Sequence, residues 1–307
     1  NIEDSTNKNK SRTLKERGIP LEKILIIGGT GNIGFPLIEA LSSNKDISIT
    51  AGVHNVSKAA KTFAPFDNIS VVHFDFLEPK TFPDALRNVT KIFFVRPPQL
   101  SDPQNDMLPF LTFAKKQQIQ QIVFVSLIGV EKNPVTPHHK IEKIIRELEI
   151  PYTFIRPSFF MQNLNTTHQK DIKENHDLFI PAGKSKTSFI DTRDIGEVAA
   201  ACLTDGHYLN QELEITGSEA LTYEQISEAM SAILKTKITY SKPSLLKFRK
   251  VMIKRGMPKE YVNVMVMLYL ITQLGNAKKV TNTVETVLHR PPRTIQEYIH
   301  DYRTFFI

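Results

Sequence analysis

KILIIGGTGNIGFPLIEAL, residues Lys23 to Leu41, sets an apolar strand, a glycine turn and an amphipathic helix in immediate succession. Ile24 to Ile27 is a short, β-branched-rich apolar run. Gly28, Gly29, Gly31 and Gly34 follow, with Thr30, Asn32 and Ile33 between them, and a helix is expected to start near Asn32. This order is what a parallel sheet uses to hold the pyrophosphate of a dinucleotide. The diphosphate must approach bare backbone N–H groups at a helix N-terminus, where the helix dipole is positive. Gly28 is expected to make the sharp turn, Gly31 to permit close approach, and Gly34 to let the helix pack on the strand. The spacing is Gly-x-x-Gly-x-x-Gly rather than Gly-x-Gly-x-x-Gly.

Outward from this run, apolar strands alternate with helical patterns. Strands are expected at Ile24–Ile27, Ile47–Gly52, Ser70–Phe74, Lys91–Val95, Gln121–Ser126 and Tyr152–Ile155, with helices over 33–43, 57–64, 104–117 and 138–149. Such alternation means a doubly wound parallel sheet, an α/β Rossmann-type fold, with ligands at the carboxyl ends of the strands. After Pro157 the alternation stops. A second, smaller α/β substrate or lid domain is therefore expected over 159–186 and 204–307. The dinucleotide domain then spans 21–158, with 187–203 returning to it. Thr222 and Gln225 form a capping-box pattern that opens a helix. Residues 1–20 are polar, without the apolar core of a signal peptide, and read as a loosely attached extension.

The chain has 307 residues, 41% of them hydrophobic and 23% charged, an ordinary globular balance. Its single cysteine, Cys202, lies in an apolar run, so no intramolecular disulfide can form; buried filler in a reducing, cytoplasmic setting is expected. No run is long enough to span a membrane. The nearest, Val262–Leu274, reads as a buried or pocket-covering helix whose Met265 and Tyr269 line an apolar substrate site. The net charge is +7. Residues 235–259 carry nine basic side chains and no acid. That segment is either a solvated face or a docking surface for an acidic protein partner. Stacking aromatics there are few (Tyr240 and Phe248), so a nucleic-acid groove is not favoured.

Which nicotinamide cofactor binds turns on the second strand. It ends Thr50-Ala51-Gly52-Val53-His54-Asn55, without the acid that grips the ribose of NAD. His54 and Lys58 stand where a 2′-phosphate would lie, so NADP is preferred over NAD. Asp75, ending the third strand, can accept from the adenine amino group while Phe76 packs on the ring; the competing role is a loop cap. Val95, Arg96 and Pro97 end the fourth strand and run past the nicotinamide ribose, with Arg96 also near the substrate. Phe159 is placed on the nicotinamide, and Phe160 and Met161 beside the substrate, with a core patch as the alternative. The pair His138-His139 makes no metal site, since adjacent helical residues point apart and no matching Cys/His cluster exists.

Ser126 ends the fifth strand, where short-chain reductases place a serine that polarises a carbonyl together with Tyr-x-x-x-Lys. With Glu142 set four residues after the lysine position, that position holds His138 and the tyrosine position holds Pro134. The phenol acid is therefore absent. His138 is left to contact the nicotinamide ribose, to relay a proton, or merely to support a helix together with Glu142.

Five stretches, ILIIGGTGNIG, PHHKIEKIIRELEIPYTFIRPSFFMQNL, SFIDTRDIGEVAAACL, LEITGSEALTYEQISEAM and HRPPRTIQEYIHDY, carry a resemblance over about Leu21 to Tyr302. The chain resembles the NmrA-like group of atypical short-chain dehydrogenases/reductases. That group includes NADPH-dependent quinone and azo-dye reductases, ergot-alkaloid reductases and NADP-sensing regulators. The resemblance implies an extended Rossmann fold, a dinucleotide across Gly28–Gly34, and a basic residue at the Lys58 position. It also implies an arginine for the 2′-phosphate where this chain has His54. Asp191 and Asp194 are implied to tie the domains together through Arg193. Hydride transfer to a flat, hydrophobic, electron-poor acceptor (quinone, imine or azo type) is one implied activity. The others are redox sensing with little turnover and a non-redox reaction on the same fold.

Overall fold

The computed structural model describes residues 22–307; the expected N-terminal extension lies outside them. The chain forms two compact units, one built from residues up to Arg156 with Ile195–Leu213, the other from Pro157–Asp194 with Glu214–Ile307.

The first unit alternates β1 (Glu22–Ile27), α1 (Gly34–Ser42), β2 (Ile47–Val53), α2 (Val56–Phe63), β3 (Ile69–His73), α3 (Phe82–Ala85), β4 (Lys91–Val95), α4 (Pro103–Asp106), α5 (Leu108–Lys116), β5 (Gln121–Val125), α6 (Pro137–Glu147) and β6 (Tyr152–Pro157). The second carries β7 (Phe159–Phe160), α7 (Gln169–Asn175) and β8 (Thr187–Ile190). The chain then runs through α8 (Thr192–Thr204) and β9 (Gln211–Ile215). Back in the second unit follow β10 (Ala220–Leu221), α9 (Tyr223–Leu234), α10 (Leu245–Lys254), α11 (Lys259–Gln273), α12 (Thr283–Leu288) and α13 (Ile295–Asp301).

The main sheet has seven strands in the order β3-β2-β1-β4-β5-β6-β9. Every neighbouring pair from β3 to β6 is parallel. The order reverses beside β1, so a crevice opens outside the carboxyl ends of β1 and β4, where such sheets bind ligands. Ile24, Leu25 and Ile26 are fully buried, as a strand covered on both faces requires. The segment expected as one helix over 104–117 is two, broken at Met107. Pro109 lacks the N–H that would continue the first helix and sits comfortably in the first turn of the second.

The second unit has a three-stranded sheet, β10-β8-β7, and its own apolar core. Three residues expected to face a substrate belong to that core. Met161 is 3% exposed and Met265 and Tyr269 each 7%. The run Val262–Leu274 is apolar on every side, so its pattern alone does not say which face turns inward. Val262, Met265, Tyr269 and Thr272 do, at helical spacing, while Val264, Met267, Leu268 and Leu274 stay exposed. The expected Thr222–Gln225 capping box is present at α9.

Asp191 and Asp194 clasp parts of this same unit. Arg193 grips Asp191 at 2.6 Å and reaches Asp301 at 2.6 Å. The fully buried Asp194 accepts from Arg290 at 2.7 Å, from the Arg293 backbone N–H at 2.7 Å, and from the Arg293 guanidinium. These ties fasten the C-terminal segment to the start of α8.

Candidate functional site

The glycine turn has the geometry that a diphosphate needs. Gly28 is left-handed at φ +83°, and a Cβ there would meet nothing within 4 Å, so the space over it is open. Gly34 is the opposite case. A Cβ there would lie 2.3 Å from the Gly28 carbonyl oxygen and 2.7 Å from the Gly29 Cα, so only glycine lets α1 pack on the turn. Gly28, Thr30, Gly31 and Asn32 are exposed. Ile33 is 4% exposed with its side chain in the core, so it can offer a ligand only its backbone. No side chain caps α1, and its first turn holds no acid. The N–H groups at its start therefore face an anion without a competing carboxylate.

At the end of β2, the His54 side chain is 66% exposed, and its Nδ1 lies 3.5 Å from the Asp75 carboxylate. Asp75 also accepts from the Leu77 backbone N–H at 2.8 Å, an Asx-type turn, so its loop-capping role is real. Its second oxygen faces His54. Lys58 is exposed in the first turn of α2, where Asn55 caps its N–H. Phe76 does not reach this corner. It is 4% exposed and packs edge-on against Phe74, Phe94 and Phe110 in the core, which removes it as an adenine contact.

Beyond β4 and β5 lie Arg96 and Ser126. The Arg96 Nη1 donates to the carbonyls of Pro97 at 3.0 Å, Pro98 at 3.0 Å and Leu100 at 2.9 Å, shaping the loop after β4. Burial pulls its guanidinium pKa down. Ser126 is 2% exposed, and its hydroxyl has no protein partner. His138 sits in the first turn of α6, opened by Thr136, whose hydroxyl accepts from the His139 N–H at 3.3 Å. Its ring stacks on Phe124 with centroids 6.0 Å apart. Burial, and then the Arg96 charge, hold the imidazole at about 3, so it is neutral near pH 7. A neutral imidazole is a hydrogen-bonding group, with one ring nitrogen donating and the other accepting. The adjacent His139 is occupied elsewhere, with Nδ1 3.0 Å from the Val130 carbonyl oxygen. Among the described residues no Cys/His/Asp/Glu group has the arrangement of a metal site.

The sequence offers Glu142 as a landmark and as a helix-supporting partner of His138, but its actual partner is not visible there. Glu142, 2% exposed on α6, receives a bidentate pair from Arg156 of β6 at 3.0 and 2.7 Å. Arg146 and Glu212 extend the network. This brace fixes α6, and with it the turn that carries His138. The Glu142/Arg146 spacing of i, i+4 was the visible signal, but Arg156 lies on another element.

The second unit holds Phe159, half-buried, against its own core. Phe160 is half-buried on the same short strand. His168, 2% exposed, makes a 2.7 Å hydrogen bond to the Tyr269 hydroxyl, and burial holds it at about 4. Within the basic segment, Lys242 pairs with Glu224, Arg255 with Asp171, and Arg249 bonds Asn263. Part of that charge is thus spent inside the unit. Cys202 is fully buried and its thiol is pushed up to about 12 by desolvation, as inert filler requires. Among the described residues no helix is long and apolar enough to cross a membrane.

Comparison with known proteins gives the following. The chain is 31% identical over 289 residues to an NAD(P)H azoreductase of Xenophilus azovorans, covering 92% of this chain and 99% of that one. It is 26% identical over 276 residues to Prestalk A differentiation protein A of Dictyostelium discoideum, covering 90% of each. Among solved structures, an NADPH-dependent quinone oxidoreductase from Escherichia coli, complexed with NADPH, superposes with a TM-score of 0.82 at 21% identity. That match covers 91% of this chain and 99% of the other, and shows a shared Rossmann-like fold. The sequence profile of the NmrA-like family matches residues 20–299.

Proposed function

The chain belongs to the NmrA-like family, and from that premise we propose that it is a nicotinamide-dependent reductase of a hydrophobic, electron-poor acceptor of quinone, imine or azo type. The observation that carries the reading is the uncapped glycine turn, open over Gly28 and closed to any Cβ at Gly34. The full-length likeness to an azoreductase supports the redox chemistry. Reduction of such acceptors draws its final proton from water, so Pro134 in the tyrosine position is no obstacle.

In this reading Gly28, Thr30, Gly31, Asn32 and the Ile33 and Gly34 backbone hold the pyrophosphate. His54, Lys58 and Asp75 meet the adenosine ribose, and Val95 and Pro97 border the nicotinamide half. Ser126 and neutral His138 hydrogen-bond near its ribose. When bound, the dinucleotide supplies a hydride. NADP is the preferred form, because Lys58 and His54 stand where no β2 acid does. Asp75 beside His54 is the observation that favours NAD, since a carboxylate repels a 2′-phosphate and accepts from a 2′-hydroxyl. The second unit is proposed as the acceptor-binding element. Its Met265 and Tyr269 are core, so the exposed α11 side chains Val264, Met267 and Leu268 are those offered to an apolar molecule.

A second reading is a dinucleotide-binding sensor with little turnover. The acid-free basic segment, with exposed Lys250 and Lys254, favours it as a surface for an acidic protein. Purified protein mixed with NADPH or NADH and a panel of quinones, imines and azo dyes separates the two. Oxidation followed at the nicotinamide absorbance supports the reductase. Tight dinucleotide binding without oxidation above background would sink it in favour of the sensor.

A further inference from the structure

Two buried donors without protein partners lie side by side at the carboxyl rim of the main sheet. Val95 and Val125 are paired in the β4–β5 ladder, so Arg96 and Ser126 are the next residues on neighbouring strands. Phe94 and Phe124 stack across that ladder with centroids 4.8 Å apart. Side chains two residues on continue the same face, which puts Arg96 and Ser126 beyond this aromatic pair, with the His138 ring stacked on Phe124. The Ser126 hydroxyl is buried and unpartnered, and so is the Arg96 Nε.

The Arg96 guanidinium is divided in its use. Nη1 is committed to three carbonyls, while the buried Nε has no hydrogen-bond partner. Among the described residues no carboxylate pairs with it. A half-buried cation whose buried Nε–H has no acceptor, beside an orphaned hydroxyl, is costly to maintain, and such groups concentrate where a ligand completes them. Its titratable neighbour His138 is neutral and brings no negative charge. The Nε–H and the hydroxyl can both donate, so the cluster lacks an acceptor, and a guanidinium with no carboxylate beside it favours an anionic one.

We propose that Arg96 and Ser126, with His138 alongside, form a site for an anionic oxygen, and that it selects neutral or anionic carbonyl-conjugated acceptors over cationic iminium ones. Its use in turnover rests on the reductase reading; its binding preference does not. An acceptor quinone takes a hydride (two electrons and one hydrogen) from the reduced nicotinamide ring, which is oxidised. The acceptor is left as a hydroquinone monoanion, and a proton from water then completes the hydroquinone. Charge that develops on oxygen meets a cation already fixed by the β4 loop, which replaces the absent phenol acid by electrostatic stabilisation. An iminium acceptor enters as a cation and is repelled.

The test is calorimetric titration of the full chain, with and without saturating NADP+. The probes are 2-hydroxy-1,4-naphthoquinone, an enolate at neutral pH, and neutral 1,4-naphthoquinone. The enolate is expected to bind more tightly. Ser126→Ala, which deletes one buried atom, and Arg96→Gln are each expected to weaken enolate binding about 10-fold or more, the scale of a hydrogen bond to a charged group, with the neutral quinone much less affected. Arg96→Lys keeps the charge and is expected to fall between. Equal affinity for the two probes, or an enolate affinity unchanged in both Ser126→Ala and Arg96→Gln, overturns the site and leaves Arg96 a loop clasp. Absence of turnover with every acceptor, alongside selective enolate binding, refutes the reductase reading and leaves the site standing.

Discussion

Replacing Glu142 by alanine is expected to destabilise the first unit by about 3 kcal/mol, at the low end of the ~3–5 kcal/mol lost when one partner of a buried ion pair is removed. The pair is deeply buried, with Glu142 2% and Arg156 6% exposed, and it is bidentate at 3.0 and 2.7 Å. Alanine removes both acceptors and strands the guanidinium. The low end applies because Glu212, at 3.2 Å, and Glu131, at 3.7 Å, still face Arg156. Both are partly exposed and therefore screened, so they compensate in part. A double variant, Glu142→Leu with Arg156→Met, removes both charges and keeps apolar volume; it is expected within about 1 kcal/mol of wild type. Urea unfolding followed by far-UV circular dichroism measures both. A Glu142→Ala loss below about 1 kcal/mol, or a double variant no better than the single, refutes the brace as described. Because α6 also carries His138, dinucleotide affinity measured at 20 °C is expected to fall in the single variant and to recover in the double.

Gly34→Ala is expected to abolish NADPH and NADH binding by titration, since its Cβ would sit 2.3 Å from the Gly28 carbonyl oxygen; retained affinity contradicts the cradle. His54→Arg is expected to tighten NADPH several-fold while leaving NADH nearly unchanged, as competitive binding would show. His168 is held at about 4 in the folded protein, against about 6.5 unfolded. The unfolded chain therefore binds the extra proton between these values, and the stability from a neutral His168 is complete above about pH 6.5 and shrinks as pH falls toward 4. The loss is about 1.4 kcal/mol per pH unit, or about 2 kcal/mol at pH 5. His168→Gln is expected to flatten the pH dependence of the urea midpoint by that amount, and an unchanged dependence argues against burial as the cause. The His138 imidazole resonances are expected not to titrate between pH 5 and 8 by NMR; a midpoint inside that window removes the neutral assignment.

The first unit was readable because its strands are apolar runs bounded by turns. Lys91–Val95 was placed without error, and the others within a few residues at each end. The glycine turn was readable because its chemistry is local: strand, turn and helix adjoin in the chain. What went unread depends on residues far apart in sequence. Glu142 and Arg156 meet across two elements, and His168 finds Tyr269 across 101 positions. Phe76 carried no local sign that three aromatic side chains, Phe74, Phe94 and Phe110, would gather around it instead of a ligand. In α11 the signal itself was degenerate, because a helix with apolar residues on every side has no inward face until a neighbour supplies one.

The outer strand of the main sheet has a consequence for how the protein is made. β6 ends at Pro157, yet its neighbour β9 begins only at Gln211. Polar ties that hold this returning segment are just as remote: Gln121 donates to the Cys202 carbonyl, Lys91 to that of Leu203, and Thr153 to that of Tyr208. A ribosome that has released the chain through Pro157 thus exposes the β6 edge, a template for mispairing with another nascent chain. The edge closes only after more than fifty further residues emerge, which at ~5–20 residues per second leaves it uncovered for seconds. Expression yield in this fold is then a race between translation and aggregation, and fragments cut near residue 157 lose it permanently.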